Sequence, residues 1–162
     1  MRDIQILDYG AGNIGSLCAA VEYLGRNTRL IQDASALNRS NPVIFPGVGS
    51  FPHAVERLKF FGLFESLIEM AENQIPIFGI CLGMQVLFTD SEEDGTTNGL
   101  GLVNGHVTKF ERSVEGNIIP HIGFNNISRI SANKPHILRQ VSKDTDYYFV
   151  HSFAVKHISD DS

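Results

Sequence analysis

One stretch constrains this chain more than any other: Ile75-Pro-Ile-Phe-Gly79-Ile-Cys81-Leu-Gly83-Met-Gln85-Val-Leu-Phe88. Its apolar start, Ile75 to Ile80, reads as a buried strand, and Leu82 to Phe88 reads as a helix. No loop lies between them. The backbone must turn within a residue or two, with Cys81 at the tip and a glycine two positions to either side. This is the Gly-x-nucleophile-x-Gly elbow with Cys in the place of Ser. The glycines keep the helix from colliding with neighbouring strands. The sulfur projects into a cleft at a helix amino terminus, where unpaired N–H groups and the helix dipole favour a thiolate. Cys18 has no such surroundings; it sits in an amphipathic segment and reads as core.

An elbow of this kind needs a parallel sheet to carry it, and the rest of the chain has the matching rhythm. Ile4 to Leu7 is a predicted buried strand, broken by the glycines of Asp8-Tyr9-Gly10-Ala11-Gly12-Asn13. Leu17, Ala20, Val21 and Leu24 follow helical spacing across Ile14 to Leu24, and Gly25 stops that helix. Thr28–Ile31 and Val43–Phe45 are the next strands. Residues 53–71 read as helix, with Val55, Leu58 and Phe61 on one face, a break near Gly62, then Leu63, Leu67 and Met70. Beyond Phe88 the character changes. Leu102–Phe110, Asn117–Ile119 and Tyr147–Val155 suggest antiparallel strands and hairpins. The expectation is an α/β fold: a three-layer αβα arrangement with a mostly parallel, flavodoxin-like central sheet and a β-rich later portion.

The 162 residues suit one domain, and 43% hydrophobic against 19% charged residues can bury a sizeable core. Thirteen basic and eighteen acidic side chains leave a net charge of −5, which argues against nucleic-acid and anionic-membrane partners. Two cysteines make no disulfide scaffold and point to a reducing compartment. Asp3 and Asp8 interrupt any signal-type apolar region, and the stretch to Phe88 is shorter than the ~20 residues of a spanning helix. A soluble, cytoplasmic protein is expected. His106, His121, His136 and His157 have no partners at metal-ligand spacing, so no metal is assigned and no cofactor is invoked.

A cysteine that attacks a carbonyl needs an oxyanion site. The turn Pro46-Gly47-Val48-Gly49-Ser50-Phe51 follows the third strand and would emerge at the same carboxyl edge of the sheet as the elbow. Gly47, Val48 and Gly49 can present N–H groups inward, with the N–H of Leu82 as a second donor. A plain Pro-Gly turn without a ligand is the other reading of the same residues.

The segment Phe78 to Glu93 resembles class I (triad) glutamine amidotransferases, and more narrowly the glutaminase subunits of imidazole glycerol phosphate synthases of histidine biosynthesis. Four further segments support the narrower resemblance, in the family's order: Asp8 to Ser16, Pro46 to Phe51, Pro120-His-Ile-Gly-Phe-Asn125 and Tyr148-Phe-Val-His-Ser-Phe153. The resemblance implies that Cys81 attacks glutamine, forms a γ-glutamyl thioester and releases ammonia to a cyclase partner, a (β/α)-barrel, in a heterodimer. It implies that Gln85 and Glu93 hold glutamine, that the backbone near His151, Ser152 and Phe153 lines the same pocket, and that Gly47 to Gly49 is the oxyanion loop. Asn13 and the segment with Pro120, Gly123, Phe124 and Asn125 would face the partner. Phe124 stands where the family usually has Trp, so an aromatic contact survives without the indole donor. Taken singly, these residues have plainer readings: an exposed helix position for Gln85, a solvated acidic turn for Glu92, Glu93 and Asp94, and an αL turn residue for Asn13.

The family's general base and its orienting carboxylate come from a later His-x-Glu segment. This sequence has Pro52-His53, Pro120-His121 and Pro135-His136 but no His-Pro-Glu. The expectation is therefore a single glutamine amidotransferase domain over residues 1–162, C-terminally incomplete relative to the family. In the family His151 is not the triad base, and its strand position suits a structural hydrogen bond. Two alternatives stand beside the glutaminase reading: an amidotransferase subunit for nucleotide-sugar amination in surface polysaccharide synthesis, and a truncated, non-catalytic module that docks on a synthase barrel.

Overall fold

A computed structural model of the chain describes residues 3–111, 118–127, 141–142 and 144–156. Asn117, the first residue of an expected strand, and the histidines at 136 and 157 lie outside the described residues. The chain forms two compact units: one runs to Thr108 and resumes at Ala154, and the other is Lys109–Phe153.

The first unit is built on four parallel strands, β1 (Ile4–Leu7), β2 (Thr28–Ile31), β3 (Val43–Phe45) and β4 (Ile77–Gly79), in the order β2-β1-β3-β4. Gln5, Ile6 and Leu7 are all fully buried, so β1 is covered on both faces, as a central parallel strand must be. Gln5 is the polar member of that strand and is fully used. Its amide donates to the carbonyls of Asn38 and Asn41 at 2.9 and 3.0 Å and accepts from the Asn38 N–H at 2.6 Å. By contrast β4 is an edge strand, with Phe78 44% exposed, so the expected buried strand at 75–80 is both shorter and only partly covered.

Helix α1 (Ile14–Tyr23) packs on β1 and β2 and buries Val21. Of the predicted stripe, Ala20 is exposed, and so is Leu24 at 75%, because Leu24 is the C-cap and its backbone already turns out of the helix. The expected break at Gly62 divides α2 (Phe51–Phe60) from α3 (Leu63–Glu72), with Gly62 in the left-handed region at φ 67°. Leu58, Leu63, Leu67 and Met70 are fully buried across that pair.

Helix α4 (Leu82–Val86) is shorter than its sequence suggested. Gly99 to Val103 supplies the reason. Leu100 donates to Val86 O, Leu102 and Val103 to Leu87 O, and Gly101 to Phe88 O, at 2.8–3.1 Å, so these carbonyls serve a different pairing. The later strands are β5 (Phe88–Ser91), β6 (Thr97–Asn98), β7 (Val103–Lys109), β8 (His121–Asn126), β9 (Asp146–His151) and β10 (Phe153–Lys156). A second sheet has the order β10-β7-β5-β6. There β5 and β6 are antiparallel, but β5 and β7 are parallel, which corrects the expectation of antiparallel strands at 102–110.

In the second unit β8 and β9 pair antiparallel from His121↔His151 to Asn126↔Asp146. The strand begins at His121, and 118–119 are not part of it; Pro120 just before it has no N–H to give a ladder. A break at Ser152 separates β9 from β10.

The elbow glycines are required by close approach. A Cβ on Gly83 would overlap the Phe45 carbonyl, and one on Gly79 would overlap the Met84 backbone. Gly83→Ala is therefore expected to cost about 3 kcal/mol or more, as overpacking against rigid backbone does. Gly62→Ala, which only strains a left-handed residue, should cost about 1–2 kcal/mol. Urea denaturation of both variants checks the order.

Candidate active site

Cys81 is the N-cap of α4, exposed, with φ 54° and ψ −117°. A non-glycine residue in such a conformation costs of order 1–3 kcal/mol and persists only where its neighbours enforce it. Here they do. Ile80 N–H donates to Phe45 O at 2.9 Å, Gly83 N–H to Ile80 O at 3.0 Å, and Gln85 N–H to Cys81 O at 3.1 Å.

The turn after β3 rests against this elbow. Gly47 is buried; a Cβ there would stand 2.9 Å from the Gly83 nitrogen and 3.1 Å from Leu82 Cβ. Val48 is 59% exposed and Gly49 has φ 103°, so the outer part of the turn faces solvent. Leu82 opens α4, and the first N–H groups of a helix have no partner within it. Cys81, Leu82 and Gly47 are thus brought together, with Gln85 buried one turn along α4 rather than exposed.

Tyr9 ties the turn down, a role that its sequence position did not reveal. It is fully buried, and its hydroxyl donates to Pro46 O at 2.9 Å. The Tyr9 carbonyl accepts from Arg57 Nε at 3.0 Å, and the Arg57 guanidinium lies over the Phe61 ring at 4.6 Å. Burial first, and then the nearby Cys81 charge, push the Tyr9 phenol well above its ordinary value of 10.0. Its one visible signal was an aromatic residue inside a Gly-rich strand-to-helix turn.

Glu93 is half-buried, and its carboxylate accepts from the Phe51 N–H at 2.8 Å. Ser50, the N-cap of α2, makes no side-chain cap bond, so Glu93 caps that helix from 42 positions away. Glu92 and Asp94 are exposed. Asn13 is exposed and caps α1, its Oδ1 accepting from the Ser16 N–H at 3.3 Å.

The second unit carries the other predicted residues. His151, Ser152 and Phe153 are half-buried, Phe124 is 69% exposed, and Pro120 and Asn125 are also exposed. The Phe124 ring meets Tyr148 with centroids 5.2 Å apart. Both ring nitrogens of His151 are engaged, Nδ1 with Phe153 O and Nε2 with His121 Nδ1, each at 3.0 Å. His106 pairs instead with Asp90 at 2.8 Å across β7 and β5. Among the described residues no group of three or more His, Cys, Asp or Glu could hold a metal, and no helix is long and apolar enough to cross a membrane.

A strained, exposed cysteine between a strand end and a helix start, beside a glycine turn, is the constellation of a cysteine acyl-transfer site. The sequence pattern of the family described as "Glutamine amidotransferase class-I" matches residues 5–162, and the chain belongs to that family. Over 156 residues it is 38% identical to the imidazole glycerol phosphate synthase subunit HisH of Moorella thermoacetica, covering 96% of this chain and 71% of that one. It is 41% identical over 155 residues to the HisH subunit of Geobacillus kaustophilus, covering 94% and 72%. The fold matches a crystal structure of a glutamine amidotransferase with a TM-score of 0.71 at 15% identity, over 97% of this chain and 75% of that one.

Tyr9→Phe should cost about 1 kcal/mol at neutral pH, the net value of one hydrogen bond. A phenol held above its ordinary pKa stabilises the fold below that value and loses this contribution as pH rises through the folded-state value. The gap between wild type and Tyr9→Phe should therefore narrow as pH rises past 10.0. Denaturant melts at neutral and alkaline pH measure it.

Proposed function

We propose that this chain is the glutaminase subunit of an imidazole glycerol phosphate synthase, working in the cytoplasm in a heterodimer with a (β/α)-barrel cyclase. The observation that carries the reading is Cys81, exposed at the elbow tip with the Gly47 turn packed against the start of α4. The Cys81 sulfur attacks the side-chain carboxamide carbon of glutamine, and the C=O electrons move onto oxygen. N–H groups of the Gly47–Gly49 turn and of Leu82 stabilise that oxyanion. Collapse of the tetrahedral adduct breaks the C–N bond, the departing nitrogen takes up the proton that the Cys81 thiol released on attack, and ammonia leaves with a γ-glutamyl thioester behind. Water then adds to the thioester carbon and expels the thiolate, one proton of the water returning to sulfur, giving glutamate. Family resemblance supports Gln85 and Glu93 as residues that hold the substrate, Glu93 offering its carboxylate to the ammonium group, and the His151–Phe153 backbone as a further glutamine contact.

Asn13 in the first unit, and Pro120, Gly123, Phe124 and Asn125 in the second, are the residues that meet the partner; the exposure of Asn13, Pro120, Phe124 and Asn125 supports this. The match from residue 5 to 162 crosses both units, which supports reading them as one amidotransferase domain.

Glutamate release by the subunit expressed from its own gene, in complex with its synthase, tests the reaction. Cys81→Ser should lower the rate by about 10³-fold or more, as removal of a covalent nucleophile does, with complex formation intact. Release that survives Cys81→Ser contradicts it.

A further inference from the structure

Four groups on β8, β9 and the start of β10 form one continuous hydrogen-bond chain. Asn125 Nδ2 lies 2.7 Å from His121 Nε2, His121 Nδ1 lies 3.0 Å from His151 Nε2, and His151 Nδ1 lies 3.0 Å from Phe153 O. The two ends decide where every proton sits. A carbonyl oxygen only accepts, so His151 Nδ1 carries a hydrogen; an amide nitrogen only donates, so His121 Nε2 is an acceptor. A neutral imidazole has one donor and one acceptor. His121 Nδ1 therefore holds the second hydrogen and gives it to His151 Nε2. With both rings neutral, this pattern of contacts requires the Nδ1–H tautomer of each.

The His151 ring at the middle of this chain is also held by packing. It sits against Phe110 at 4.9 Å, His121 at 5.2 Å and Phe149 at 5.7 Å between ring centroids. Beside it, the Phe110 N–H donates to Ser152 O at 2.9 Å. Two successive carbonyls, Ser152 and Phe153, are thus fixed, one by a backbone N–H and one by the imidazole chain. The residues that orient His151 lie on the strand whose other face presents Phe124.

We propose that His121 and Asn125 are positioning residues for glutamine: with His151 they form a one-directional chain of neutral hydrogen bonds that sets the Ser152–Phe153 backbone in its substrate-receiving shape. This rests on the reading above that the 151–153 backbone lines the glutamine pocket. Neither residue touches the reacting atoms. Their effect falls on substrate binding, and so on KM more than on kcat.

The test is steady-state glutaminase kinetics of the full subunit in complex with its synthase, with a parallel NMR readout of the histidine ring nitrogens. His121→Ala should raise KM for glutamine about 5-fold, the size expected from losing one neutral hydrogen bond, and leave kcat within about 2-fold. His121→Asn, whose amide can replace the Nδ1–H donor, should recover most of that loss. A KM for His121→Ala within about 2-fold of wild type, or His121→Asn no better than Ala, overturns the proposal. Two-bond 1H–15N spectra should show Nδ1–H tautomers for His121 and His151 in the wild type and a tautomer mixture for His151 in His121→Ala. Nε2–H tautomers in the wild type overturn it whatever the kinetics. Failure of the glutaminase reading looks different: the wild-type complex would release no glutamate while the ring-nitrogen spectrum still showed the chain, and the proposed role toward glutamine would fall with that reading.

Discussion

The site depends on how closely α4 begins against the end of β3. No side chain fits between Gly83 and the Phe45 carbonyl, and that same carbonyl accepts the Ile80 N–H. With helix and strand held at this distance, the residue between them has no relaxed conformation, and Cys81 is forced to φ 54° with its side chain exposed. The strain is thus a property of the frame, maintained by buried backbone hydrogen bonds rather than by any contact of the sulfur itself. A backbone so held fixes the direction in which the Cα–Cβ bond leaves the turn, whatever approaches it.

The turn that would receive negative charge is tied to the same frame by different means. Tyr9 reaches from the loop after β1 to Pro46, and Arg57 reaches from α2 to the carbonyl of Tyr9. Three elements thereby converge on one glycine turn, while Val48 and Gly49 stay at the surface. Glu93 adds a fourth link by capping α2, the helix that follows this turn. Much of the polar chemistry near the elbow is thus spent on holding backbone in place.

How much of this the sequence discloses depends on the range of the interaction. The four parallel strands, the Gly62 break and the elbow itself are local events, written in apolar runs and glycine positions, and they were legible. The stop of α4 at Val86 was not, because Phe88 continues a helical pattern until the carbonyls of Val86 to Phe88 are taken by residues 100–103. The parallel pairing of β5 with β7 follows from that return of the chain and has no local signature. Among site residues, Cys81 and the Gly47 turn announced themselves by spacing. Tyr9 to Pro46, Glu93 to Phe51 and His121 to His151 join positions 37, 42 and 30 residues apart, and no periodicity encodes such pairs. Resemblance to the family named Glu93 and His151, but their partners became visible only in three dimensions.

Whether Cys81 is the group that attacks glutamine is measured most directly by labelling with an electrophilic glutamine analogue, a diazoketone that alkylates the attacking atom, followed by peptide mapping. One label per chain is expected, on the Cys81 peptide, suppressed by excess glutamine. Labelling of Cys18 instead, or Cys81 labelling that glutamine does not suppress, would contradict it.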